Sequence, residues 1–153
     1  MNISSEIGAL LDSVRKKNGV VHQITNYVTV NDCANITLAV GSSPIMADDG
    51  EEMDEIVSLA SALVLNMGTL NNHSIRAMQL AGRAANRLGV PLVIDPVGLG
   101  ASRLRCETME LFLDVLKPQG IRGNMSEIAF LAGSGQRSKG VDVSLEDEKR
   151  MGT

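Results

Sequence analysis

Four residues of the chain have side chains suited to a phosphate and a divalent cation: Asp95, Arg122, Asn124 and Glu127. A carboxylate can hold a hydrated Mg²⁺ that bridges phosphate oxygens, and a guanidinium meets a phosphate oxygen through its fork of donors. Asn124 and Glu127 stand where a helix begins, and a helix N-terminus attracts anions. Each also has a plainer reading. Asp95 can simply open a Pro-Gly turn, Arg122 can sit in a surface ion pair, and Asn124 with Glu127 three residues on has the spacing of a capping box. The functional reading is favoured by placement, because all four fall at carboxyl ends of predicted strands, the edge where open α/β sheets bind ligands.

The elements that place them follow from periodicity. Val90-Pro91-Leu92-Val93-Ile94 is a short apolar run that reads as a buried parallel strand, and Asp95 is the first charge after it. The loop that follows, Pro96 to Ser102, carries Gly98 and Gly100, so no side chain there blocks a close ligand. Upstream, Ser4 to Lys17 has Ile7, Leu10, Leu11 and Val14 on one helical face and ends on Lys16-Lys17-Asn18-Gly19, a basic last turn with a glycine stop. Val20 to Ile24 reads as a strand, and the loop Thr25 to Val28 after it is a further site candidate. Thr29 with Asp32 has the spacing of a cap pair for a helix through Val40. A clipped strand at Ser43 to Ala47, a helix opened by Asp49 and Glu52, and a buried strand at Ala62 to Asn66 come next. Helices over Asn72 to Leu88 and from Ser102 to Lys117 flank the Asp95 strand, and Gly120-Ile121-Arg122 begins another. Alternation of about five strands with helices predicts an α/β fold, a mostly parallel sheet with helices on both faces.

Composition excludes other classes. The 153 residues suffice for one domain, and 44% hydrophobic with 21% charged residues fits a globular protein. A net charge of −4, no long basic run, and Tyr27, Phe112 and Phe130 as the aromatic rings argue against a nucleic-acid surface. Cys33 and Cys106 lie in helix-like surroundings and are read as reduced thiols. With neither a signal peptide nor a membrane span in the pattern, the expectation is a cytoplasmic protein without a membrane partner. The run from Gly133 to Gly140 follows a helix and lacks a Gly-Lys-Ser/Thr ending, so it is read as a surface loop and not as a phosphate loop. Ser144 with Asp147 has cap spacing for one more helix, and the architecture is read as interrupted there.

Four stretches together resemble the hydroxyethylthiazole kinase family of the ribokinase-like fold. They are His22 to Asn35, Ser43-Pro44-Ile45-Met46-Ala47, Asp95 to Ala101, and Arg122-Gly123-Asn124-Met125-Ser126-Glu127. The Asn-x-x-Glu element is shared widely among ribokinase-like kinases, whereas Ile24-Thr25-Asn26 and Pro44-Ile45-Met46-Ala47 are particular to this family. The resemblance implies transfer of the ATP γ-phosphoryl group to the hydroxyl of 4-methyl-5-(2-hydroxyethyl)thiazole, with Mg²⁺, in thiamine salvage. It assigns Met46, Asn26 and Val28 to the thiazole, Arg122, Asn124, Glu127 and Asp95 to ATP, and Glu127 and Asp95 to the metal. It also implies a homotrimer with sites built between subunits.

The family extends well beyond Thr153, to a glycine-rich segment that forms the anion hole and supplies the catalytic base. The expectation is therefore a single ribokinase-like domain over residues 1–153, lacking its C-terminal part and weak or inactive alone, since those donors carry much of phosphoryl transfer. Two other readings stay open. The same fold can phosphorylate a hydroxymethylpyrimidine or pyridoxal-type alcohol, or the chain can be a non-catalytic assembly or ligand-binding subunit.

Overall fold

The computed structural model describes residues 3–133. The glycine-rich run beyond Gly133 and the Ser144/Asp147 cap lie outside the described residues. In chain order the elements are α1 (Ile3–Lys17), β1 (Val20–Ile24), α2 (Val30–Ala39), β2 (Ser43–Ile45) and α3 (Met53–Leu59), which continues a 3-10 turn at Gly50–Glu52. They continue with β3 (Ala62–Asn66), α4 (Asn72–Leu88), β4 (Leu92–Asp95), α5 (Arg103–Val115), β5 (Gly120–Ile121) and α6 (Met125–Leu131).

All strand pairs are parallel, in the order β2-β1-β3-β4-β5. The chain leaves β1 toward one edge to make β2, then returns past β1 to lay down β3 and works outward to β5. The order therefore reverses between β1 and β3, the topological switch point, and it is in the crevice at such a point that open α/β sheets bind ligands. The Asp95 strand lies one place from the middle of the sheet, which is held by β3.

The core lies between the sheet and the helices α3, α4 and α5. Leu63 and Leu65 of β3 and Leu92 and Ile94 of β4 alternate inward, as a pleat of period two requires. Against them α4 sets Ala77, Ala81 and Ala85, small residues at four-residue steps that let the helix approach closely, with Met78 beside them, and Phe112 of α5 and Val57 of α3 fill the flanks. The apolar stripe of α1 is different. The helix forms as its periodicity predicts, yet it has no buried residue, and Ile7 and Leu10 are 59% and 67% exposed.

Two helix starts, those of α5 and α6, are capped as the sequence predicts. Ser102 accepts from Arg105 N at 3.3 Å, and Asn124 and Glu127 form a reciprocal capping box. Asp49 caps the 3-10 turn by accepting from Glu51 N. Among the described residues two α-helices start without a side-chain cap: the predicted Asp49/Glu52 pair does not cap α3, which begins after Glu52, and Thr29 of the Thr29/Asp32 pair does not cap α2. The Thr29 hydroxyl donates instead to Asn26 Oδ1 at 3.1 Å, and the same oxygen takes the Thr29 N–H that the Asp32 side chain would accept in a capping box.

Candidate functional site

Four polar side chains run in a row across the carboxyl ends of β1, β3, β4 and β5. Asn26 Nδ2 donates to Asn66 Oδ1 at 3.1 Å, Asn66 Nδ2 to Asp95 Oδ2 at 3.0 Å, and Arg122 Nη1 to the same Asp95 oxygen at 2.9 Å. Register explains the middle link: Asn66 and Asp95 are direct partners in the β3–β4 ladder, so their side chains stand side by side on one face. The first link crosses the crevice where the strand order reverses. Close approach there depends on Gly68, since a Cβ at that position would lie 2.6 Å from Asn26 Cβ. The residue is 9% exposed at Asp95, while the Arg122 side chain is 81% exposed, so the guanidinium can turn toward a ligand from an anchored carboxylate.

Glu127 is buried, 3% exposed, and both its oxygens accept from backbone. Oε2 takes Asn124 N at 2.8 Å, which closes the capping box, and Oε1 takes Gly98 N at 2.8 Å from the loop after β4. That loop turns through Gly98 at φ 71° and Gly100 at φ 88°, left-handed values that disfavour other residues. Capping and ligand holding are therefore compatible roles for Glu127. Each carboxylate oxygen has two lone-pair directions, one of which the N–H occupies.

Arg105, which the sequence reading left aside, braces the site from behind. Its guanidinium donates to the carbonyls of Met67 and Gly68 after β3 and of Val97 after β4, the last at 2.6 Å and Gly68 at 2.8 Å. Nothing in its helical position distinguishes Arg105 from the other arginines of the chain; the two loops it joins meet only in the fold.

On the other side of the crevice Asn26 Oδ1 accepts from Val28 N, Thr29 N and the Thr29 hydroxyl, which fixes the loop and leaves Tyr27 and Val28 exposed. Tyr27 donates from its hydroxyl to Asp48 Oδ2 at 3.1 Å, and that bond and the carboxylate's charge hold its phenol above the usual value. Met46 follows β2 directly and is half-buried. The next residue, Ala47, offers its carbonyl to His22 Nε2 at 2.8 Å. The structure thus brings Asn26, Asp95 and Arg122 together through Asn66, and Asn124 together with Glu127 and Gly98. Met46 it sets apart, beside β2 at one sheet edge while Arg122 follows β5 at the other, roughly 19 Å away by strand spacing.

Among the described residues no cluster of three or more His, Cys, Asp or Glu is placed to hold a metal, so a metal here would rest on two carboxylates at most. No helix among them is long and apolar enough to cross a membrane.

The fold and this rim define a parallel α/β domain with a row of polar side chains at its topological switch point. Sequence comparison names the family. The model of the Hydroxyethylthiazole kinase family matches residues 11–151, and the chain belongs to that family. It is 54% identical over 144 residues to a hydroxyethylthiazole kinase of Ruminiclostridium cellulolyticum, covering 94% of this chain and 53% of the relative. It is 55% identical over 147 residues to that of Clostridium beijerinckii, covering 96% and 53%. The solved hydroxyethylthiazole kinase of Pyrococcus horikoshii superposes with a TM-score of 0.81 at 42% identity, over 84% of this chain and 50% of that one. The chain spans about half the length of the curated relatives it matches.

Proposed function

We propose that these residues form the N-terminal, strand-rim half of a single ribokinase-like kinase domain that phosphorylates 4-methyl-5-(2-hydroxyethyl)thiazole with ATP in thiamine salvage. In that reaction the alcohol oxygen bonds to the γ-phosphorus, the bond to the β–γ bridging oxygen breaks, ADP leaves, and the alcohol proton passes to a base. The observation that carries the reading is the Asp95–Arg122 pair, an anchored carboxylate with an exposed guanidinium, beside the helix start that Asn124 and Glu127 close.

Each residue's share follows from its surroundings. Arg122 exchanges its contact with Asp95 for a phosphate oxygen, to which a guanidinium is well matched. Asn124, Glu127 and Asp95 face the nucleotide, and Asn26, Val28 and Met46 face the thiazole, where a thioether suits a flat sulfur heterocycle. The donor set fits Mg²⁺, which usually takes one or two carboxylates plus waters and phosphate oxygens. Glu127, whose oxygens already accept backbone N–H groups, would hold it through water, with Asp95 as the second carboxylate. When bound, Mg²⁺ neutralises charge on the β- and γ-phosphates.

Met46 and Arg122 stand at opposite sheet edges, which supports a homotrimer whose sites combine one subunit's thiazole residues with its neighbour's nucleotide residues. The reading places the protein in the cytoplasm, in keeping with its two free cysteines. The 153 residues assayed alone give little or no transfer, because the resemblance puts the base and anion hole in the second half of the family's length.

Calorimetry tests this. The chain is titrated with the thiazole alcohol, hydroxymethylpyrimidine and pyridoxal, and separately with MgATP. Selective binding of the thiazole alcohol, with nucleotide binding weakened at least about tenfold by Arg122→Ala, is the expected result. Preference for another alcohol would overturn the substrate, and nucleotide binding indifferent to Arg122→Ala would overturn the site.

A further inference from the structure

The thiazole and nucleotide residues lie on different strands, and one side chain joins the two groups. We propose that Asn66 is a positioning residue whose carboxamide couples the Asn26 loop to the Asp95–Arg122 pair, so that events at one half of the rim are felt at the other. The roles given to the two ends rest on the function proposed above; the coupling itself rests on geometry.

The row has a direction, forced from both sides. Val28 N and Thr29 N can only donate, and both point at Asn26 Oδ1, at 3.1 and 3.0 Å. The NH₂ of Asn26 therefore faces Asn66, whose oxygen must receive it. Gly68 N, another obligate donor, points at the same Asn66 Oδ1 from 2.9 Å. With its oxygen so committed, Asn66 turns its NH₂ to Asp95 Oδ2 at 3.0 Å, where a carboxylate accepts and never donates while ionised. Every amide in the row is thus oriented by backbone groups or charge, and a flip at Asn66 would set donors against donors and oxygen against carboxylate. The site demands one acceptor and one donor in a short planar group, which only asparagine supplies at this reach.

The far end of the row is the movable one. Two donors converge on Asp95 Oδ2, the Asn66 amide and the exposed Arg122. When Arg122 swings to a phosphate, Asp95 loses its charged partner and leans harder on the Asn66 NH₂. Hydrogen bonds in a chain polarise one another, so the change reaches Asn66 Oδ1, Asn26 and the loop that Asn26 shapes.

The test is a mutant cycle read by ¹H–¹⁵N resonances of the side-chain NH₂ groups, in the full 153-residue chain without ligand. Arg122→Ala is expected to shift the NH₂ signals of both Asn66 and Asn26, and in an Asn66→Ala background to leave Asn26 unmoved. An Asn26 signal that ignores Arg122→Ala, or that moves equally with and without Asn66, overturns the proposal. Asn66→Leu, which keeps the size of the side chain and removes both its donor and its acceptor, supplies a second reading should the alanine variant fold poorly. Arg122→Ala in that background should leave the Asn26 NH₂ signal unmoved, and an Asn26 shift as large as in the wild-type background sinks the coupling. An added arm titrates MgADP: it moves Asn26 in the wild type and not in Asn66→Ala. Failure of MgADP to bind would count against the proposed function and leave the ligand-free cycle to decide the coupling.

Discussion

Glu127 accepts the backbone N–H of Gly98 across 29 residues of chain, at 2.8 Å, and with its other oxygen caps its own helix. One buried carboxylate therefore fixes the loop after β4 relative to the start of α6, the two backbone segments nearest the proposed phosphate. The glycines of that loop make the approach possible, and Glu127 makes it stay.

Glu127→Gln keeps the shape and removes half of this arrangement, since an amide has one accepting oxygen and sets its NH₂ against the other N–H. Hydrogen bonds to a charged group contribute about 1.5–3 kcal/mol, so the variant is expected to lose about that much. For a chain of this length that lowers Tm by about 3–12 °C in a thermal melt. Glu127→Asp should retain the cap and lose the Gly98 contact, with backbone amide shifts confined to residues 96–101. A Gln variant as stable as wild type would show that the two N–H groups need no charge between them.

Arg105 tests whether the two loops are held as one unit. Its guanidinium reaches three carbonyls on two loops, Met67 and Gly68 on one and Val97 on the other. Arg105→Met leaves all three without their donor and is expected to cost about 3 kcal/mol in urea unfolding. Arg105→Lys restores a charge but not the planar fork, and should recover less than half. Full rescue by lysine would mean that charge alone is what the loops require.

How much of this was legible beforehand depended on whether a residue's partners are local. Asn124 and Glu127 advertise themselves by a spacing of three, and the structure carries the capping box that the spacing predicts. Asp95 is marked by being the first charge after an apolar strand. Asn66 has the same position at the end of β3, yet as an amide ending an apolar run it reads as a strand stop; only the β3–β4 register makes it Asp95's neighbour. Arg105 depends on three segments meeting. The Thr29/Asp32 spacing misled for the opposite reason, because a competing local acceptor, Asn26, takes both the Thr29 hydroxyl and the Thr29 N–H. The stripe on α1 was legible as a helix face, and periodicity carries no information on what, if anything, that face meets.

Tyr27 reports the loop beside the crevice. It is the chain's one tyrosine and there is no tryptophan, so its ionisation can be followed cleanly by ultraviolet absorbance. The Asp48 carboxylate accepts its O–H and repels the phenolate, which raises its pKa above 10.0. Asp48→Asn removes the charge and should bring the titration back down toward the ordinary value, while raised salt should do the same in the wild type only in part, since screening leaves the hydrogen bond intact. A midpoint indifferent to Asp48→Asn would place the loop somewhere other than against Asp48.

His22 links the same region to acid stability. Its ring is 0% exposed, its Nε2 lies 2.8 Å from the Ala47 carbonyl, and its Nδ1 is buried with no partner among the described residues. Since a carbonyl only accepts, the neutral ring carries its proton on Nε2, and a second proton would create a buried Nδ1–H with nothing to receive it. Burial accordingly lowers the pKa from 6.5, against a weaker upward pull from the Ala47 bond and the Glu52 carboxylate. Between that lowered value and 6.5 the unfolded chain binds a proton that the folded chain refuses. Stability from this group is therefore complete above pH 6.5 and declines as pH falls through that window. His22→Phe loses the Ala47 contact and is expected to be less stable at neutral pH, but with a shallower decline below pH 6.5 than the wild type. Exposed His73 is the chain's other histidine and is present in both proteins, so the difference between their curves belongs to His22. Parallel curves in chemical denaturation from pH 7.5 to 5 would mean that the ring finds a proton acceptor that the fold does not offer.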